Sequence, residues 1–165
     1  MLMIQFEKVS FEQFEKDYIA LYGESPAIRD IYDRIKLPER STSGAAGYDF
    51  FSHSRYCVLG QNTCHILTGI RVKMPKNVVF LILPRSSIGI KKGVGLANTV
   101  GVIDSDYYYA DNEGHIHIVL RNYSPNNAHI DIGDKFAQGM FVPYYLADGD
   151  ETQTVRTGGL GSTGE

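Results

Sequence analysis

The sequence lacks three features, each of which would have pointed to a large class of proteins. Its only two cysteines, Cys57 and Cys64, are too few for a disulfide scaffold and lack C-x-x-C spacing; they could face each other across a hairpin, but free thiols in a reducing cytosol are favoured. The first residues contain no long apolar run and already include Glu7, so neither a signal peptide nor a membrane anchor is expected. The net charge of −3 argues against general binding of nucleic acid. We therefore expect a soluble, cytoplasmic protein.

Short apolar runs separated by Gly, Pro, Asn and Ser dominate the chain from Ile31 onward. This pattern predicts an all-β sandwich, jelly roll or barrel rather than βαβ units, and 165 residues suffice for one domain. The predicted strands are Ile4–Val9, Ile31–Leu37, Tyr48–Phe51, Tyr56–Leu59, Cys64–Leu67, Ile70–Met74, Val78–Leu83, Gly101–Ile103, His115–Leu120 and Lys135–Val142.

One amphipathic helix, Phe11–Tyr22, is predicted near the beginning of the chain. Ser10 followed by Gln13 makes a capping-box pattern, aromatic residues recur at helical spacing, and Gly23 supplies a stop. A short turn or helix is expected over Ser86–Lys92. The last residues, RTGGLGSTGE, contain four glycines and little apolar surface, so we divide the chain into a domain of residues 1–154 and a flexible arm of residues 155–165.

Several common site motifs fail on inspection. GGLGSTGE places Glu165 where a P-loop needs Lys, and the acidic stretch from Asp104 has Tyr109 where an EF-hand needs Gly. His115 and His117 alternate on one strand but have no Cys or Glu at ligand spacing. They are therefore interpreted as surface or interface histidines, not as a zinc site.

Five separated segments do carry residue types suited to a nucleoside triphosphate: carboxylates, a guanidinium and hydroxyls for phosphate oxygens, amides, and glycines whose backbone can wrap phosphates. Each alone has an ordinary structural explanation. In this order they resemble the five signature motifs of the trimeric dUTPase family: AGYDF at 46–50, PRSS at 84–87, LANTVGVIDSDYY at 96–108, KFAQ at 135–138, and the glycine-rich arm from Arg156.

The resemblance implies a jelly-roll (β-clip-like) subunit and a homotrimer with active sites at subunit interfaces. The implied reaction is Mg²⁺-dependent hydrolysis of dUTP to dUMP and pyrophosphate. Asp104 corresponds to the general base for the water that attacks the α-phosphorus. Asn98, with the hairpin backbone at Gly101 and Ile103, would read uracil, and the Tyr107 ring would exclude a 2′-hydroxyl.

The resemblance also assigns residues to the phosphates and the metal. Asp49 corresponds to a carboxylate near Mg²⁺, acting through water. The implied phosphate contacts are Arg85, Ser86, Ser87 and Gln138, and the implied contacts of the closing arm are Arg156, Gly159, Leu160, Gly161, Ser162 and Thr163.

The sequence departs from the family at three places: Ser87 stands where Gly is more frequent, the turn after Tyr107 is longer, and Leu160 replaces a Phe that stacks on uracil. Two alternatives remain beside dUTP hydrolysis. A dCTP deaminase of the same fold would need a catalytic Glu on the strand after the hairpin, where HIHIVLRN has none. A regulatory protein that binds nucleotide could use the helix Phe11–Tyr22 and the loop Tyr108–Glu113 as surfaces for a protein partner.

Overall fold

The computed structural model describes residues 3–154, 156 and 158. This part of the chain is mostly β, as predicted, with three short α-helices and one 3₁₀ helix. The helices are α1 Phe11–Tyr22, α2 Ile28–Asp33, α3 Ser86–Lys92 and the 3₁₀ helix Ser105–Tyr109. The strands are β1 Gln5–Lys8, β2 Glu39–Arg40, β3 Tyr48–Phe51, β4 Tyr56–Val58, β5 Thr63–Leu67, β6 Ile70–Lys73, β7 Val78–Pro84, β8 Val94–Leu96, β9 Gly101–Ile103, β10 His117–Asn122, β11 Ala128–Ile130 and β12 Lys135–Pro143.

Two antiparallel sheets organise the fold. The larger has the order β2-β3-β12-β7-β9, and the smaller has the order β5-β10-β8. Two further strand pairs, β1 with β6 and β4 with β11, complete the pairings in the described residues. Neighbours in these sheets are often far apart in the chain, as in a jelly roll, so the ends of β8, β9 and β10 can build one site from separate segments.

The core lies between the sheets. Residues of β7 alternate between buried and partly exposed positions, which is the pattern of a strand with one face toward the interior. Phe80 on β7 is fully buried and packs against the rings of Phe6, Phe50 and Phe141. Burying such aromatic rings contributes about 1.5–3 kcal/mol for each side chain.

Helix α1 has the predicted bounds, Phe11–Tyr22. Its N-cap is Ser10, whose Oγ accepts a hydrogen bond from the Gln13 backbone N–H at 3.1 Å. Phe14 is fully buried against the core, and the helix packs on α2 and on β5. Helix α3 also has its predicted bounds, Ser86–Lys92.

The strand predicted over Ile31–Leu37 is wrong, because these residues begin within α2, Ile28–Asp33. The buried residues Ile28, Ile31 and Ile35 recur at intervals of three and four, which is the spacing of one helical face. None of the helices in the described part of the chain has the length and apolar character needed to cross a bilayer.

Candidate active site

Asp104 lies directly after β9, at the start of the 3₁₀ helix. Strand β9 pairs with β7 and buries Ile103 opposite Phe80, which leaves the following carboxylate at the surface with about half of its side chain exposed. The guanidinium of Arg156 bridges two carboxylates here: its Nη2 lies 2.7 Å from Asp104 Oδ2, and its Nε lies 3.1 Å from Asp106 Oδ1. Two predicted site residues, Asp104 and Arg156, are therefore in direct contact.

The Tyr107 side chain lies next to Arg156 and is held by two hydrogen bonds. Its hydroxyl donates to the His115 carbonyl oxygen at 2.8 Å and accepts from Asn112 Nδ2 at 2.8 Å. The side chain is almost entirely buried, and this burial raises the pKa of its phenol. The Arg156 guanidinium lies 5.6 Å from the centre of the Tyr107 ring, within the range of a cation–π contact.

A cavity of about 350 Å³, lined by Ile103 directly before Asp104, is here called the nucleoside cavity. Its walls are mainly apolar side chains of β7, β8, β9 and β10, and its lining includes Asn98, Gly101 and Ile103, which the sequence predicts to read uracil. Asn98 lies in the turn between β8 and β9, where its carbonyl oxygen accepts from the Val100 N–H at 2.7 Å. An apolar cleft with a few polar groups is the usual form of a small-molecule site.

A second cavity, of about 420 Å³, is rich in cations and is here called the cationic cavity. Its lining contains the predicted residues Arg85 and Ser87. It also contains three lysines, Lys91, Lys92 and Lys135, and a single carboxylate, Asp134. Arg85, the N-cap of α3, and Ser87 in its first turn lie at one wall, because α3 begins two residues after the end of β7. Such a concentration of positive charge favours a polyanionic ligand in an otherwise acidic protein.

Asp49 forms ion pairs with two of these cations. Its carboxylate is almost fully buried and accepts from Arg85 Nε at 2.8 Å, Lys135 Nζ at 3.0 Å and Ser41 Oγ at 2.6 Å. Burial alone would raise the pKa of Asp49, but the hydrogen bonds from Ser41 and Lys135 and the charge of Arg85 hold it below its usual value. The contact of Asp49 with Mg²⁺ through water stays a prediction.

The structure thus gathers the predicted residues into two groups. Gln138 belongs with Asp49 and Arg85, because it faces Asp49 across β3 and β12 and its Nε2 donates to the Pro84 carbonyl oxygen at 3.3 Å. Ser86 is exposed on the first turn of α3. The two cavities share no lining residue. Five predicted arm positions lie outside the described residues: Gly159, Leu160, Gly161, Ser162 and Thr163.

The structure corrects the interpretation of one histidine. His115 is completely buried, which corrects the interpretation of it as a surface or interface residue. Its partner is Asp17 on α1, whose Oδ2 lies 2.6 Å from His115 Nδ1. The two residues are separated by 98 positions, so no local pattern could indicate the contact. His117 lies beside them and lines the nucleoside cavity.

The sequence is similar to those of known proteins. The family model of dUTPases matches residues 33–164, so α1 precedes the matched part. The chain is 43% identical to the deoxyuridine 5′-triphosphate nucleotidohydrolase of Lactococcus lactis, over 79% of this chain and 89% of that protein.

Solved structures are similar as well. The fold resembles the dUTPase of Streptococcus mutans with a TM-score of 0.67 at 32% identity, over 87% of this chain and 98% of that one. It also resembles the dUTPase of Staphylococcus aureus phage phi11, which coordinates a structural Mg(II) ion, with a TM-score of 0.63 over 92% of this chain and 97% of that one. At 20% identity the second likeness concerns the fold alone.

Proposed function

Because this chain belongs to the dUTPase family, we propose that it hydrolyses dUTP to dUMP and pyrophosphate with Asp104 as the general base. The position of this carboxylate carries the proposal. Asp104 follows the strand that lines the nucleoside cavity, and it stands next to the buried ring of Tyr107. A base needs to lie within hydrogen-bond reach of the attacking water, and a carboxylate that directly follows the cavity-lining Ile103 suits that need for a nucleotide whose base lies inside.

The nucleoside would enter between β8, β9 and β10. The Asn98 amide can both donate to and accept from the edge of a pyrimidine, and the surrounding walls are apolar. Tyr107 is fixed by two hydrogen bonds, so its ring cannot move aside to make room for a 2′-hydroxyl. These features support selection of a deoxyribonucleoside.

The triphosphate would be neutralised by cations rather than by covalent catalysis. Hydrolysis at phosphorus needs an in-line water and stabilisation of charge on the phosphate oxygens. Arg85 and Lys135, both oriented by Asp49, belong to the cationic cavity, and Arg156 belongs to the arm. We assign these residues to the phosphates, together with Ser86, Ser87 and Gln138.

The donor set also fits Mg²⁺ as the metal. The carboxylates of Asp104 and Asp106 both face Arg156, and Asp49 is occupied by two cations, so the described residues around the proposed phosphate site do not form a carboxylate cage. An ion held mainly by triphosphate oxygens, with Asp49 acting through water, suits this arrangement. When bound, Mg²⁺ would withdraw negative charge from those oxygens.

A homotrimer with shared active sites is the assembly we propose. The nucleoside cavity and the cationic cavity share no lining residue, although one dUTP must contact both types of group. A neighbouring copy of the chain would bring its cationic cavity to the nucleoside cavity of the first. Residues 155–165 would act as the closing arm, and the free thiols Cys57 and Cys64 suit the cytoplasm.

The experiment that tests this proposal is pyrophosphate release from dUTP in Mg²⁺ buffer by the parent chain, Asp104→Asn and Asp106→Asn. Asp106 is a matched control, because it is equally exposed and binds the same guanidinium. We expect Asp104→Asn to lose nearly all turnover while still binding nucleotide, and Asp106→Asn to keep most of it. Full turnover in Asp104→Asn, or ammonia release from dCTP by the parent, would refute the proposal.

A further inference from the structure

Four polar side chains meet between α1 and the smaller sheet, and we call them the histidine cluster: Asp17, His65, His115 and His117. Asp17 Oδ2 lies 2.6 Å from His115 Nδ1 and 3.6 Å from His117 Nε2. His117 Nδ1 lies 3.2 Å from His65 Nε2. Asp17 also accepts from Gln13 Nε2 at 2.9 Å. The cluster therefore connects α1 to three places: β5 at His65, β10 at His117, and the segment just before β10 at His115.

The backbone of Gly69 determines where the proton of His115 resides. The Gly69 N–H donates to His115 Nε2 at 2.9 Å, so Nε2 is an acceptor and carries no proton. A neutral imidazole then has its proton on Nδ1, which donates to Asp17. Burial lowers the pKa of His115, which favours this neutral form.

The same geometry argues against a divalent metal in the cluster. The oxygen of Asp17 and the nitrogens of His115 and His117 lie within 4.8 Å of one another, close enough to suggest a metal site. A metal on His115 Nδ1 would require that nitrogen to lose its proton while Nε2 still accepts from Gly69. A ligating histidine normally keeps a proton on its other nitrogen and donates it. The arrangement therefore suits a network of hydrogen bonds.

The histidine cluster reaches the nucleoside site at two points. The carbonyl oxygen of His115 accepts the hydroxyl proton of Tyr107 at 2.8 Å, so the residue that Asp17 holds also fixes the Tyr107 ring. His117 lines the nucleoside cavity together with Asn98. A single carboxylate on α1 thus contacts His117, which lines the cavity, and His115, which binds the Tyr107 hydroxyl.

We propose that Asp17 is a positioning residue for the nucleoside, acting through His115 on Tyr107 and through His117 on the cavity wall. The inference rests on the proposed dUTP hydrolysis. It assigns a role in substrate binding to α1, which lies before the part of the chain that matches the dUTPase family. Asp17 touches neither substrate nor phosphate in this scheme, so its removal should weaken binding of the nucleoside and leave the phosphate contacts intact.

The test compares Asp17→Ala and Asp17→Asn with the parent chain. Alanine leaves His115 Nδ1–H without its acceptor, and we expect the KM for dUTP to rise about tenfold with kcat within about twofold of the parent. Asparagine keeps an acceptor oxygen and should restore the KM to within about threefold of the parent. Inhibition by inorganic pyrophosphate should be unchanged in both variants. Equal weakening of dUTP and pyrophosphate would overturn the proposal.

Two controls separate positioning from loss of stability. Phe11→Ala removes the contact of α1 with Tyr32 of α2 and should lower the melting temperature without changing the KM. Glu12→Gln is the control for the loss of charge, because it removes one negative charge from the exposed side of α1.

If Asp17→Ala does not fold, Gln13→Leu removes the hydrogen bond to Asp17 and should raise the KM about threefold. An unchanged KM in every folded variant of Asp17 and Gln13 would overturn the proposal.

Two further measurements keep the outcomes distinct. If the parent releases no pyrophosphate from dUTP, the proposed function fails; if the parent is active and Asp17→Ala matches it, only the present inference fails. Zn²⁺ is titrated calorimetrically into the chelator-treated protein. Stoichiometric Zn²⁺ binding that Asp17→Ala abolishes, with no change in KM, would replace the positioning role with a metal site.

Discussion

Glu113 completes the cap of α1 by accepting two hydrogen bonds from Ser10. The Ser10 backbone N–H donates to Glu113 Oε2 at 2.8 Å, and Ser10 Oγ donates to Oε1 at 2.6 Å. In a capping box the side chain of Gln13 would accept the first of these bonds. Here Gln13 instead bonds to Asp17, and a residue 103 positions away takes its place. The long turn after Tyr107 and helix α1 are therefore one structural unit.

Replacing Glu113 should destabilise this unit. Glu113→Ala leaves the N–H and hydroxyl of Ser10 without their partner, and we expect the free energy of unfolding to fall by about 1–2 kcal/mol. Urea denaturation of the purified protein measures the change. Glu24→Ala, at an exposed position just after α1, is the matched control and should alter stability by less than about 0.5 kcal/mol. Equal stability of the two variants would contradict the assigned cap.

Arg156 should contribute to turnover through its paired hydrogen bonds. Its guanidinium bridges Asp104 and Asp106, and the proposed function requires it to turn toward the phosphates. Arg156→Ala should lower kcat/KM for dUTP by about 10- to 100-fold, the loss expected for hydrogen bonds to a charged group. Arg156→Lys keeps the positive charge but loses the forked guanidinium, so its kcat/KM should lie between that of the parent and that of Arg156→Ala. A steady-state assay in which alanine and lysine behave alike would rule out the bidentate role.

Gly139 should not tolerate a side chain. A Cβ at this position would lie 2.1 Å from Phe80 Cζ, and Phe80 is fully buried among other rings that prevent its retreat. Gly139→Ala should cost about 1–3 kcal/mol or more of stability through overpacking. Gly44→Ala is the control, because its Cβ would meet nothing within 4 Å. Thermal unfolding of both variants measures the difference in stability. A Gly139→Ala protein as stable as Gly44→Ala would mean that the β7–β12 packing is looser than described.

Local signals made several elements predictable. Ser10 and Gly23 bound α1 correctly, and alternating apolar residues indicated β7 and β12, although their observed ends differ by one residue. Three strands were not predicted, and all are very short: β2 consists of two charged residues, β8 has glycine at its centre, and β11 has three residues. The partners of β8 and β11 are distant in the chain, where no local window reaches them, whereas β2 pairs with the nearby β3.

The candidate site was partly predictable for a related reason. The order of motifs assigned Asp104, Arg85 and Asn98 to a nucleotide, but it could not reveal that Asp49 orients Arg85 and Lys135. Nor could it relate Asp17 to His115, because the two residues belong to segments that meet only in the folded protein. Motifs report which chemical groups are present, whereas the ion pairs that orient those groups depend on tertiary packing.

The buried histidines should make stability depend on pH. His53 and His115 are both buried, and burial lowers the pKa of each below the ordinary histidine value. The unfolded chain therefore binds protons more readily than the folded one as pH falls below about 6.5. Below about pH 6.5 protonation of these histidines favours the unfolded state, whereas above that pH they do not lower the free energy of unfolding. Stability should then fall by up to about 1.4 kcal/mol per pH unit for each histidine.

Urea denaturation at pH 7.5, 6.5 and 5.5 measures this slope. His53 Nε2 lies 2.6 Å from the Leu67 carbonyl oxygen, and a glutamine amide can donate from nearly the same place, so His53→Gln should fold and show a shallower loss of stability between pH 6.5 and 5.5. His129→Gln changes an exposed histidine and should keep the slope of the parent. A parent protein equally stable at all three pH values would show that its buried histidines accept protons without unfolding, since only a pKa that differs between the two states produces a slope.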